Sequence, residues 1–149
     1  MTTELTLAEL EDATDLELDP SDWVTVEQQA IEQFADATGD HNWIHVDPER
    51  AAQGPFGTTV AHGYLSLSLL PMLVANVLRV TDAQMGLNYG IEKIRFTAPV
   101  PSGSQVRLRA TVRSAERRGE GVLYRVGVEL EIQGADKPAL VGEVVYLVF

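Results

Sequence analysis

Between Gly39 and His45 the chain sets a carboxylate, an amide and two imidazoles in one short run, Gly39-Asp40-His41-Asn42-Trp43-Ile44-His45. A carboxylate and an imidazole that share one water can take a proton from it and exchange a proton with a substrate, which is general acid–base chemistry. Asp40 and His45 are the candidates for that pair. On residue types alone, a turn aspartate beside a surface histidine explains the same run at least as well. His62-Gly63 is the second feature with chemical potential. Gly63 lies near the start of a long apolar run, where the first backbone N–H groups of a helix lack partners. With no Cβ it lets a ligand approach the backbone, and a carbonyl receiving that N–H would be stabilised by the donor and the helix dipole. A glycine needed only for tight packing is the competing reading. His62 reads as a structural neighbour, because a helix N-terminus disfavours imidazolium and favours a neutral hydrogen-bonding role.

These residues need elements to hold them. Thr25-Val26-Glu27-Gln28 matches a capping box, with Thr25 as N-cap and Gln28 at the third helical position. Ala30, Ile31, Phe34 and Ala35 then repeat at helical spacing, and Gly39 is placed to end the helix in a left-handed turn. Asp47-Pro48 opens a short helix. From about Ala61 to Arg79 the residues predict a long helix, apolar on nearly all sides, which other structure must wrap; Pro71 inside it should kink it. The second half reads as strands: Trp23 to Val26 is a short forerunner, then Asn88 to Thr97, then Val106, Leu108, Ala110 and Val112 alternating with Arg107, Arg109, Thr111 and Arg113. Tyr124 to Ile132 and Leu140 to Phe149 complete an antiparallel sheet with one solvated face. One apolar helix followed by strands predicts an α+β domain in which the sheet curls around the helix. Residues 1–22 predict an acidic arm or loose helix, and residues 23–149 the single domain.

Composition narrows the partners. The net charge is −11, and residues 1–49 hold 14 Asp and Glu with no Lys or Arg. A third of such a chain would repel a phosphate backbone, which argues against nucleic acid. Nine of the 11 cations are Arg, all in residues 50–149. Arg107, Arg109 and Arg113 share a strand face near Arg117-Arg118, which reads as a solvated face before it reads as a CoA-phosphate site. Without cysteine there are no disulfides, thiolate metal sites or cysteine nucleophiles. The three histidines and nearby acids lack zinc spacing, so no metal is expected. No signal peptide is visible, and the apolar window Val60 to Val80 is too interrupted by polar residues for a membrane span. The expectation is a cytoplasmic protein.

Phe34-Ala35-x-x-Thr38-Gly39-Asp40-x-Asn42-x-Ile44-His45-x-Asp47-Pro48, followed by Ala61-His62-Gly63, Asn88-Tyr89-Gly90 and Arg95-Phe96-Thr97-Ala98-Pro99-Val100, resembles the MaoC-like (R)-specific enoyl-CoA hydratases, which have the hot-dog fold. The resemblance covers roughly residues 23–149 and departs at Trp43, where the family usually has proline. It implies that Asp40 and His45 activate water, with Gly63 N–H polarising a thioester carbonyl and Asn42 and His62 in supporting roles. His41 reads as merely exposed. The implied reaction is hydration of a trans-2-enoyl-CoA to an (R)-3-hydroxyacyl-CoA, with no cofactor beyond the CoA of the substrate and a homodimer as the assembly. The alternatives are a 3-hydroxyacyl dehydratase acting on acyl-carrier protein, a thioesterase on the same fold, and a non-catalytic hot-dog subunit. Retention of both Asp40 and His45 argues against the last.

Overall fold

Alternation of apolar and polar residues along β6 (Gln105–Arg118) and β7 (Gly121–Ile132) forces one face of each inward. In β6, Val106, Leu108, Ala110 and Val112 are buried. β7 and β8 (Leu140–Val148) continue that inward face, and β5 (Gly86–Phe96) flanks β8. In this computed structural model, which describes residues 1–149, the four long strands pair antiparallel in the order β6-β7-β8-β5. Two short strands, β2 (Leu16–Glu17) and β3 (Val24–Thr25), add to the far edge of β6. Bulges near Val112, Asn88 and Ile91 break the pairing register and bend the sheet. Gly142 permits one such bend: its φ is +155° and a Cβ there would run into the Lys93 carbonyl.

The curled sheet wraps α5 (Gly63–Val77). Leu65, Leu70, Leu73, Val74 and Val77 of this helix are buried in a core cluster shared with β6, β7 and β8, and Ile94 of β5 packs against it. Each fully buried leucine stabilises the fold by roughly 1.5–3 kcal/mol relative to an exposed one. Pro71 sits inside the helix, which runs on to Val77. The helix is therefore shorter at both ends than the apolar run from Ala61 to Arg79, and Leu78–Val80 leaves it as a strand, β4.

The N-terminal residues differ most from expectation. Thr3–Leu5 forms β1, which pairs in parallel with β4, and Leu7–Glu11 forms α1, with Leu10 fully buried in the main core. Thr6 and Glu9 close the capping box of α1. The acidic segment is thus part of the domain, because Leu10 and Leu18 supply core surface that a detached arm would leave in water. The box expected at Thr25 is absent: Thr25 pairs with Gln105 in β3, and α2 (Gln28–Thr38) begins after Glu27 with no side-chain cap. Sheet pairing has taken the residue that local pattern assigned to a cap.

The arginine stripe of β6 is a paired outer face. Arg107 and Arg109 meet Glu131, Arg113 meets Asp15, and Arg117 meets Glu11 at 2.8 Å. These partners leave little free charge for a phosphate. No helix is long and apolar enough to cross a membrane.

Candidate active site

α2 ends as its sequence dictates. Gly39 adopts the left-handed conformation (φ +82°) and its N–H returns to the Ala35 carbonyl, which turns the chain at Asp40. The Asp40 carboxylate then accepts the Asn42 N–H at 3.3 Å, and the Asn42 side chain accepts the Ile44 N–H at 3.3 Å. Asn42 is thereby the N-cap of α3 (Trp43–Val46), the single turn that carries His45. Asp47 caps α4 (Pro48–Ala52) in turn, accepting the Arg50 N–H.

His45 is buried, and its Nδ1 lies 2.6 Å from the Val60 carbonyl oxygen. A carbonyl only accepts, so Nδ1 carries the hydrogen and Nε2 of the neutral ring keeps a free lone pair. His62, just before α5, is buried more completely, and its Nε2 donates to the Asp40 backbone carbonyl at 2.9 Å. The two imidazoles stack with centroids 3.8 Å apart, and Phe34 packs on the other ring contact of His62 at 4.8 Å. Asp40, His45 and His62 each place a ligand-type atom within 4.8 Å of the other two. The expected pair, Asp40 and His45, is therefore brought together, and His62 ties the pair to the start of α5. One nitrogen of each ring is committed to a backbone carbonyl, His45 Nδ1 to Val60 and His62 Nε2 to Asp40. His62 Nδ1 is enclosed and has no hydrogen-bond partner, a condition that costs about 1–3 kcal/mol for a buried polar atom.

Gly63 is the first residue of α5, so its N–H has no acceptor within the helix. Its φ is not positive; what it supplies is space, since a Cβ would lie 3.0 Å from the Phe96 ring. Gly63, Ser66, Phe96 and Ala98 help line a cavity of about 260 Å³. Trp43 turns away from it. Its ring packs on Gly54 and under the Arg50 guanidinium, 4.3 Å from the ring centre. His41 is exposed, and the Asp36 carboxylate 3.0 Å from its Nε2 raises its pKa above the usual imidazole value.

One positioning residue escapes sequence reasoning. Gln28 donates from Nε2 to the His45 carbonyl at 2.8 Å and accepts the Thr59 hydroxyl at 2.7 Å, which locks α3 to the start of α2 and to the segment before Val60. Its place in the apparent capping box concealed this long-range role.

The family model described as a MaoC like domain matches residues 9–133. Over 138 residues the chain is 49% identical to 3-hydroxyacyl-thioester dehydratase Z of Mycobacterium tuberculosis, covering 92% of this chain and 91% of that protein. It is 46% identical to nodulation protein N of Rhizobium leguminosarum bv. viciae, covering 92% and 87%. Among solved structures, the unliganded R-hydratase PhaJ1 of Pseudomonas aeruginosa superposes with a TM-score of 0.75 at 26% identity, covering 96% of this chain and 84% of that one. The wrapped α5, the Asp40–His45 turn and these matches together make the chain a member of the MaoC-like dehydratase family, with the hot-dog fold.

Proposed function

We propose that this protein is a hydratase/dehydratase that interconverts a trans-2-enoyl-CoA and an (R)-3-hydroxyacyl-CoA. The observation that carries the reading is the convergence of the Asp40 carboxylate and the His45 ring beside the N-terminus of α5. A water held between Asp40 and His45 Nε2 gives its OH to C3 of the enoyl thioester as one proton passes to the pair. Electron density moves through C2 onto the thioester carbonyl, which accepts the Gly63 N–H. The enolate collapses as C2 takes a proton from the pair, so one water supplies both added groups and the pair ends as it began. Dehydration is the same path in reverse. Asn42 and Gln28 hold the turn, and His62 holds the Asp40 backbone. No cofactor enters this scheme, since CoA arrives as part of the substrate.

Relatedness to 3-hydroxyacyl-thioester dehydratase Z supports the reaction type. The assembly we propose is a homodimer. β5 ends the sheet with a free edge of 11 residues and exposes Leu87, Tyr89 and Ile91, while α5 exposes Tyr64 and Met72. A long apolar edge is a liability that a second copy across a twofold axis would cover.

The test is incubation with crotonyl-CoA, following enoyl absorbance, product stereochemistry and free thiol together. Loss of the enoyl signal with formation of the (R)-3-hydroxy thioester is the expected result. Thiol release without hydration would replace this reading with a thioesterase.

A further inference from the structure

α5 and β5 run past each other in opposite directions: Gly63 faces Phe96 at one end, and Ala75 lies by Leu87 at the other. Along this seam lie three cavities. The first, at Gly63 and Phe96, belongs to the site above. The second, about 220 Å³, is bounded by Ser68, Pro71, Gly90 and Ile91. The third, about 460 Å³, adjoins it at Pro71, Asn88 and Tyr146 and extends to Ala75 and Leu87. Its lining is mainly apolar; the polar members are Arg79, Gln84 and one row of side chains on the sheet floor.

That row crosses three strands. Asn88 of β5 pairs with Tyr146 of β8, which pairs with Tyr124 of β7, so the three point to the same face. Both tyrosines are buried and their rings lie 5.5 Å apart. Neither hydroxyl makes a hydrogen bond within the chain, and neither is sealed off, because the sole enclosed side-chain atom without a partner is His62 Nδ1. Buried tyrosine hydroxyls ordinarily find partners. Phenylalanine would fill the same volume with no hydroxyl to satisfy, so the polar row points to something that enters the cavity.

The distances suit an acyl tail. From Gly63 to Pro71 the helix rises about 12 Å and to Ala75 about 18 Å, at roughly 1.5 Å per residue. An extended hydrocarbon advances about 1.25 Å per carbon given bonds of about 1.5 Å, so these spans correspond to about ten and about fourteen carbons. Resting on the thioester reading above, we infer that the α5–β5 seam takes a medium-to-long acyl tail and that Asn88, Tyr124 and Tyr146 select one bearing a hydrogen-bonding oxygen at its far end. An unfunctionalised tail would displace water from the two buried hydroxyls and leave them unpartnered, whereas a terminal hydroxyl or carbonyl would satisfy them.

Saturated thioesters test this without turnover. Calorimetric titration of the full chain with butanoyl-CoA, dodecanoyl-CoA and ω-hydroxydodecanoyl-CoA should give the lowest Kd for the hydroxylated chain, by about tenfold over dodecanoyl-CoA. The direction is informative because a purely apolar seam would prefer the methyl end, which is easier to desolvate. Tyr124→Phe and Tyr146→Phe, which remove only an oxygen, should each shrink the ratio, and together bring it to one or below. Equal or tighter binding of dodecanoyl-CoA to the wild type overturns the inference, as does equal binding of all three thioesters or a ratio that survives both substitutions. Failure to hydrate crotonyl-CoA alongside an intact tail preference would overturn the proposed reaction and leave the tail site standing.

Discussion

Replacing His62 separates two things that its ring does. It donates to the Asp40 carbonyl through Nε2, and it stacks on His45. His62→Phe keeps an aromatic ring for the stack and removes the donor. Stability should change little. The lost hydrogen bond costs about 1 kcal/mol, and removing the enclosed, unpartnered Nδ1 returns about 1–3 kcal/mol. Fitting the larger ring offsets that gain by about 1–3 kcal/mol. Activity should respond far more, because the Asp40 turn loses its tie to α5, and a displacement of about 1 Å in a reacting group costs about a hundredfold. His62→Gln provides the control, since its amide N–H can reach the same carbonyl without the ring. The assays are crotonyl-CoA hydration under kcat/KM conditions and thermal unfolding of the same preparations. The account predicts a Phe variant with a near-wild-type melting temperature and a loss of about a hundredfold, and a Gln variant within about tenfold of wild type. A Phe variant that is as active as wild type, or activity losses that merely track unfolding in both variants, would refute the reasoning.

Two further outcomes follow from the geometry. Gly63→Ala places a methyl group 3.0 Å from the Phe96 ring. That ring is half exposed and can shift, so the melting temperature should fall by only a few degrees while kcat/KM drops about tenfold or more, as expected when access to one oxyanion donor is obstructed; an unchanged kcat/KM would remove Gly63 from the site. The buried tyrosines give a pH window. Burial raises Tyr124 to about 12 and Tyr146 further, so above pH 10 the unfolded chain ionises first and stability falls until the folded pKa is reached. Denaturant titrations should show stability intact below pH 10 and a decline of about 1.4 kcal/mol per pH unit for each tyrosine above it, with Tyr124→Phe removing one tyrosine's share between pH 10 and about 12; a decline of the same slope in that variant would contradict the assignment.

Local signals were sufficient where local geometry decides. Gly39 needs a left-handed turn, Asp47-Pro48 starts a helix, and the alternation of β6 and β7 marks a sheet with one buried face. What escaped depends on contacts distant in sequence. β1 exists because β4 pairs with it, 75 residues away, and α1 is held by burial of Leu10 against the sheet. The Thr6–Glu9 box before Leu10 was the readable sign of that helix. The similar pattern at Thr25–Gln28 misleads, because Thr25 pairs in β3 and Gln28 bonds to His45 and Thr59. At the site, residue types suggested Asp40 and His45, but the stacked His62 and its bond to the Asp40 backbone arise from folding the start of α5 against the end of α2.

The central claim is that Asp40 and His45 act as one unit on one water. The most direct measurement is kcat/KM for crotonyl-CoA hydration by wild type, Asp40→Asn, His45→Gln and the double variant. Each single variant should lose at least about a hundredfold, and the double variant little more than the worse single, because groups that act together are not additive. Robust hydration by either single variant, or losses that multiply in the double variant, would contradict it.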